Sequence, residues 1–240
     1  MLEAFASTDK GCIRTNNEDY CLIESDLGLY ILADGMGGAR AGEQASRLAA
    51  DTVAERVRAA AARDSQALLS AVEEANRRVL EAAGNDPKLE GMGTTLLAAL
   101  ELADGIDIAS VGDSRAYLLD QSGFRALTDD QTWVNEVGRP LGLDEEALRT
   151  HPMRHVLTMA IRAKAPLAVN YYSVPLKGPC LMLMSSDGLH GVLDQGTLEQ
   201  ILRGDWTTAS LQERCQKLID AAKEAGGPDN VTVILVRKSG

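Results

Sequence analysis

Four aspartates of the 240-residue chain stand at the ends of strand-like runs, three where the run gives way to a turn and one where a turn leads into it. Asp34 closes LYILA and is followed by Gly35, Met36, Gly37 and Gly38; Asp187 closes LMLMSS and is followed by Gly188. Asp113 closes IDIASVG, and Asp229 sits in a Gly-Gly-Pro turn just before a last apolar run. A carboxylate at the end of a rigid strand is held in place, and an adjacent glycine lets a backbone carbonyl and solvent come close. Carboxylate, carbonyl and water are the ligands that hard cations such as magnesium and manganese prefer. An Asp-Gly after a strand is also the ordinary composition of a turn. Four such stations, one of them in a loop with three glycines, point beyond turns to a divalent-metal site.

Composition narrows the partners. Lys plus Arg number 24 against 35 acidic residues, a formal charge of -11, and no basic stripe with interleaved aromatics occurs, which disfavours a nucleic-acid partner. Cys12, Cys21, Cys180 and Cys215 lie far apart with no C-x-x-C, and the histidines number 3, so a sulfur/imidazole zinc site has little support and buried unpaired thiols are expected. The first residues, MLEAFASTDKG, hold acidic groups and no apolar core of a signal peptide, and no stretch approaches the apolar length of a membrane span. A cytoplasmic, non-membrane protein is expected, folded as a single domain over residues 1–240.

The elements that must position the aspartates follow from periodicity. Tyr20 to Ile23 and Leu29 to Ala33 read as a hairpin around Ser25, Asp26 and Gly28. Ala45, Leu48, Ala49, Thr52, Val53 and Val57 recur at helical spacing, as do Leu68, Val72, Ala75, Val79 and Ala83, before Gly84, Asn85 and Pro87 end the second helix. Thr95 to Leu100, Ile106 to Val111, Ala116 to Leu119 and Phe124 to Leu127 then read as one antiparallel meander. From about Trp133 to His155 the pattern dissolves, with Gly138, Pro140, Gly142 and Pro152, into a helix start and a mobile excursion. Strands resume at Val169 to Val174 and Leu181 to Ser185; a helix carrying Leu211, Cys215, Leu218, Ile219 and Ala222 precedes the last strand, Val231 to Val236. Paired helices and runs of strands argue for an α+β layered sandwich over a doubly wound sheet.

In sequence order, RTNNED (Arg14 to Asp19), ADGMGG (Ala33 to Gly38), GEQAS, GTT (Gly93 to Thr95), VGDSR (Val111 to Arg115), TDDQTWVNE, HPMRHVLT, SSDGL (Ser185 to Leu189) and GGPDNVTVI (Gly226 to Ile234) resemble the metal-dependent protein phosphatases of the type 2C class, particularly their compact bacterial members. The resemblance runs over essentially the whole chain. It implies a four-layer α-β-β-α sandwich, two central antiparallel sheets flanked by helix pairs, with a flap over about residues 133–160. It further implies hydrolysis of phosphoserine and phosphothreonine in proteins by a water activated between two Mn2+ or Mg2+ ions, opposite a counterpart serine/threonine kinase, by a monomer. Carried over residue by residue, Asp34 would bridge the two metals, with the backbone oxygen of Gly35 on one and Asp187 and Asp229 on the other. Glu18 and Asp19 match positions that hold metal-bound waters, and Asp113 matches one that joins a third, weaker metal with Asp187. Arg14 matches the arginine that grips the substrate phosphate, for which a planar guanidinium is suited.

Two departures matter. Many eukaryotic relatives have a histidine where this chain has Met36, so a side-chain general acid is missing there; His151, His155 and His190 are assigned no role. After HVLT the family commonly runs Arg-Ala-Leu-Gly, whereas this chain has Met159, Ala160, Ile161 and Arg162, a large cation in place of a residue free to take unusual backbone angles. Altered substrate entry or an altered excursion is expected, and an Arg162→Gly variant with unchanged turnover and Michaelis constant would contradict it.

Three other readings stand beside this one. A non-catalytic phosphoprotein-binding relative would be signalled by loss of Asp34, Asp187 or Asp229, all present. A phosphatase of anti-sigma-factor antagonists usually carries a sensory extension, whereas this chain starts directly at the first strand. A calcium-binding structural domain would need a D-x-[DN]-x-[DN]-G loop, which does not occur.

Overall fold

The computed structural model describes residues 2–162, 164 and 166–239. The chain runs through β1 (Glu3–Asp9), β2 (Asp19–Glu24), β3 (Leu29–Met36), α1 (Ala39–Ala59), α2 (Ser65–Asn85), β4 (Gly93–Thr94), β5 (Leu96–Leu102), β6 (Gly105–Val111), β7 (Arg115–Asp120) and β8 (Gly123–Ala126). A π-helical turn at Val134–Gly138 and α3 (Glu145–Thr150) follow, then β9 (Asn170–Pro175), β10 (Cys180–Ser185), α4 (Asp187–His190), α5 (Gln195–Arg203), α6 (Leu211–Glu224) and β11 (Val231–Lys238).

The strands form two antiparallel sheets, ordered β1-β11-β10-β7-β8 and β2-β3-β5-β6-β9, with the short β4 paired to β3. Why LYILA and LMLMSS are unbroken apolar runs is now plain: both faces of these strands are covered, so alternation has no polar side to show. Leu29, Ile31 and Ala33 pack toward α1 and α2, while Tyr30 and Leu32 enter the layer between the sheets. Leu181 and Leu183 face α5 and α6, while Met182 and Met184 meet Tyr30 and Leu32 in the middle layer. Each fully buried Leu or Ile contributes about 1.5–3 kcal/mol, so the three layers of apolar contact dominate the stability. The α-β-β-α sandwich expected from the resemblance is the architecture found.

The outer layers fit the helical stripes. Ala45, Ala49, Val53 and Val57 of α1 and Leu68, Val72, Ala75 and Val79 of α2 are all buried. Asp64 caps α2, its side chain accepting from the Ala67 backbone N–H at 2.9 Å. The sequence reading found one helix against the other sheet; α5 is its partner, a nine-residue helix that buries only Leu198 and Leu202 and is capped by Asp194. So few apolar positions leave little periodic signal.

The expected single meander is instead divided. β5 and β6 pair in one sheet, and the chain then crosses at Gly112 to pair β7 with β8 in the other. Gly112 has φ of 100°, and a Cβ there would lie 2.8 Å from Thr95 Cγ2, so glycine permits both the turn and the close approach. The crossing delivers Asp113 to the end of the sandwich where β3 and β10 also finish.

The irregular excursion is fastened at its base. Trp133 N–H donates to Val156 O at 2.8 Å and Thr158 N–H to Gln131 O at 3.0 Å, around a bridge between Thr132 and Leu157. Within it Trp133 stacks on His151, ring centroids 4.0 Å apart. Beyond the base, Ile161 exchanges backbone hydrogen bonds with Thr94 on β4. Of the cysteines, Cys180 and Cys215 are buried and unpaired as expected, but Cys12 is exposed because it lies in the loop after β1. Among the described residues no helix is long and apolar enough to cross a membrane.

Candidate metal centre

A cleft of about 470 Å³ opens at this end of the sandwich, lined by Arg14, Glu18, Asp34, Gly35, Met36, Asp113, Asp187 and Asp229 among others. The four aspartates of the sequence reading are thus brought together, with Gly35, Glu18 and Arg14 beside them. Asp19 lies behind that wall, opposite Asp34 in the β2–β3 ladder and buried. His155, which carries no expected role, and Arg162, expected to alter substrate entry, also line the cleft.

Each carboxylate is positioned by a local feature. The Asp34 N–H donates to Thr95 Oγ1 at 3.0 Å, and the Asp34 carbonyl accepts from Thr95 N–H at 2.9 Å and Thr94 Oγ1 at 2.9 Å. Thr95 Oγ1 in turn meets Ser114 Oγ at 2.7 Å, which joins the end of β3 to the Asp113 turn. Gln131 clasps that turn from the other side, exchanging hydrogen bonds with the backbone of Gly112 at 2.9 Å in both directions. Asp187 begins α4 after Ser186, whose hydroxyl donates to Asp19 Oδ2 at 2.8 Å and so joins the two sheets. Gly188 packs against the backbone beside Asp229: a Cβ there would sit 1.8 Å from the Asn230 carbonyl. Asn230 fastens the Asp229 turn to the RTNNED loop, its Nδ2 donating to Lys10 O and Asn16 O and its Oδ1 accepting from Glu18 N–H at 2.8 Å. Gly35 completes the wall; a Cβ would lie 2.3 Å from Gly42 O and 2.6 Å from Glu18 O.

These supporting side chains lie inside the motifs already quoted, yet the sequence reading gave Thr95, Ser114, Gln131, Ser186 and Asn230 no role. Their partners are distant in sequence, and only the fold pairs them. His190 is similar: Nδ1 lies 2.9 Å from Ser185 Oγ, and the ring also hydrogen-bonds the backbone of Asp113. Burial, with Arg115 nearby, holds it well below its ordinary pKa, so it is a neutral brace within the fold.

The electrostatics are those of crowded, poorly solvated acids. Asp34 is held well above the usual carboxylate range, first by burial and then by repulsion from Asp19, Asp187, Asp113 and Asp229. Burial likewise pushes Asp19 and Asp113 up to about 7, with Asp187 adding repulsion to both. Asp187 is raised by burial and by Asp229, against an opposing hydrogen bond with Asp34. Asp19 Oδ1 and Asp187 Oδ1 are buried without a hydrogen-bond partner. Unpaired buried carboxylate oxygens are costly unless something positive meets them. An all-oxygen cluster of this kind fits hard divalent cations. Among the described residues no three acidic, histidine or cysteine side chains converge on one ion position by themselves, so a cation here would need waters in its shell.

At the rim, Arg14 Nη2 donates to Asp229 Oδ2 at 2.7 Å, and its side chain is half exposed. Asp229 raises the Arg14 pKa, so the guanidinium stays charged. On the other wall Arg162 takes no left-handed backbone conformation, so the substitution for glycine that the resemblance flagged strains nothing. Its Nη1 donates to Gly91 O at 3.0 Å.

The geometry has counterparts among known proteins. The serine/threonine phosphatase stp of Listeria welshimeri is 35% identical over 245 aligned positions, covering 97% of this chain and 94% of that protein. The structure of serine/threonine phosphatase Stp1 from Staphylococcus aureus superposes with a TM-score of 0.90 at 29% identity, covering 100% of this chain and 96% of that one. The catalytic domain of the serine/threonine protein phosphatase PstP, solved in complex with 2 manganese ions, gives a TM-score of 0.87 at 31% identity, covering 100% and 99%. With the family model for protein phosphatase 2C matching residues 13–221, the chain belongs to the protein phosphatase 2C family.

Proposed function

We propose that the chain hydrolyses phosphoserine and phosphothreonine in proteins, with two manganese or magnesium ions held by Asp34, Asp187, Asp229 and the Gly35 carbonyl, and with Glu18 and Asp19 reaching them through water. The observation that carries the reading is the convergence of Asp34, Asp113, Asp187 and Asp229 from four strand ends onto one cleft, beside buried carboxylate oxygens that lack partners. When bound, a pair of divalent cations supplies an activated water at neutral pH and neutralises charge on the phosphoryl oxygens. Asp113 with Asp187 offers a third, weaker position.

The chain's own groups do the rest. Arg14 offers a charged fork at the mouth of the cleft, where it orients a phosphoryl group by two parallel hydrogen bonds. Thr95, Ser114, Gln131 and Asn230 keep the carboxylates in place, so binding of charge costs little rearrangement. Met36 has no proton to give to the leaving seryl or threonyl oxygen, so donation falls to solvent in the cleft. The enzyme acts as a cytoplasmic monomer that reverses a serine/threonine kinase.

Hydrolysis of p-nitrophenyl phosphate and a phosphothreonine peptide with manganese, magnesium, calcium or chelator tests the reading. Turnover with manganese that vanishes in chelator and in Asp34→Ala is expected. Activity that persists in either would overturn it, and tight phosphopeptide binding without turnover would make the chain a binding relative.

A further inference from the structure

We infer that Arg162 is a specificity-determining residue, which pairs with an acidic side chain of the substrate protein two or three positions from its phosphorylated residue. The inference rests on the proposed phosphatase function and names the class of substrate it takes.

Arg162 is exposed on the cleft wall built by β4 and the segment that returns from the excursion. Three contacts fix where its head lies. Ile161 is bridged to Thr94, so the backbone cannot drift from β4. The side chain runs over Gly93, where a Cβ would come within 2.6 Å of Arg162 Cδ, so the absence of a side chain at Gly93 makes the groove in which the stem lies. Nη1 then donates to Gly91 O at 3.0 Å. A guanidinium has five N–H donors, and among the described residues this one has a single acceptor and no acidic partner. Arg14 differs, since it already holds Asp229.

Register gives the distance. Gly93 pairs with Met36, two residues beyond Asp34 on β3. At about 3.3 Å per residue the stem of Arg162 therefore lies roughly 7 Å along the wall from Asp34. A substrate chain that presents its phosphoryl group to the carboxylate cluster advances about 3.3–3.6 Å per residue when extended. The head of Arg162 lies a little farther, at Gly91 O, which is 3.0 Å from where a Cβ of Gly37 would be, so the residue two or three places away comes within reach of the guanidinium. In the proposed enzyme Asp34, Asp113, Asp187 and Asp229 are taken up by the cations and Arg14 by the phosphoryl group, which leaves Arg162 as the cation facing the flanking residue. Arg162 supplies the local attraction that would admit an acidic side chain, in a fork geometry matched to a carboxylate.

The test compares phosphothreonine peptides that differ only at positions flanking the phosphorylated residue, carrying Asp, Asn or Lys, with the full chain and manganese. Wild type is expected to favour Asp over Asn by about three- to ten-fold in kcat/KM, mainly through KM, with the preference shrinking at high salt. Arg162→Gln should bring that ratio close to one, Arg162→Lys should retain part of it, and Arg162→Glu should reverse it toward the Lys peptide. A wild-type ratio near one, or a preference that survives both Arg162→Gln and Arg162→Glu, overturns the inference and leaves the phosphatase reading standing. No manganese-dependent hydrolysis of p-nitrophenyl phosphate by wild type removes both.

Discussion

Arg14 and Asp229, which lie 215 positions apart in the chain, meet through one hydrogen bond of 2.7 Å at the mouth of the metal cleft. The contact ties the loop after β1 to the turn before β11. It also keeps the guanidinium beside the acid that would ligate a cation. Replacing Arg14 with Ala should lower kcat/KM for p-nitrophenyl phosphate by about 10–100-fold, the worth of a charge-assisted pair to phosphate. Arg14→Lys should recover only part of it, because a single ammonium cannot copy the fork. Steady-state kinetics at saturating manganese measure both.

Asp34→Asn should separate activity from stability. Turnover should fall by about three orders of magnitude, since the carboxylate proposed to hold both ions is lost. In chelator, however, the variant should unfold at a higher temperature than wild type. Asp34 is held far above its ordinary pKa by burial and by four neighbouring aspartates, so a neutral isostere relieves repulsion. Thermal unfolding followed with and without manganese distinguishes the two effects.

The metal-free protein should lose stability as pH rises from about 4 toward 7. Asp19 and Asp113 are pushed up to about 7 in the fold, against 3.8 ordinarily. Between those values the folded state binds more protons than the unfolded chain, so unfolding becomes easier as pH increases. The stabilisation is full below about 4 and gone above about 7. Denaturant melts in chelator across this window should show the slope, and saturating manganese should flatten it.

Gly188→Ala should damage the site without touching a ligand. Its Cβ would overlap the Asn230 carbonyl at 1.8 Å, and that is backbone, which cannot swing aside. The cost should be about 1–3 kcal/mol of stability. Asp187 and Asp229 should also separate, weakening manganese binding in a calorimetric titration.

The aspartates of the candidate centre were legible in the sequence because they are marked by residue types: Asp34, Asp113 and Asp187 each follow a strand-like run, Asp229 precedes one, and all lie beside turn residues. The sandwich was legible because LYILA and LMLMSS carry apolar side chains on both faces. Gly112 was harder. A glycine between two strands marks a turn, but whether the next strand returns to the same sheet depends on Thr95 and Gln131, which are distant in sequence. The same reason hid His190, whose braces at Ser185 and Asp113 come from two different strands' ends. α5 went unseen because its capping aspartate and two buried leucines make too short a pattern.

The clasp at the foot of the excursion has a consequence for how such proteins diversify. Trp133 with Val156, and Gln131 with Thr158, bring the two ends of the segment together as an antiparallel stem. What lies beyond that stem is a cassette: its length and surface can be exchanged, by evolution or by grafting, while the stem delivers the same chain path back to β4.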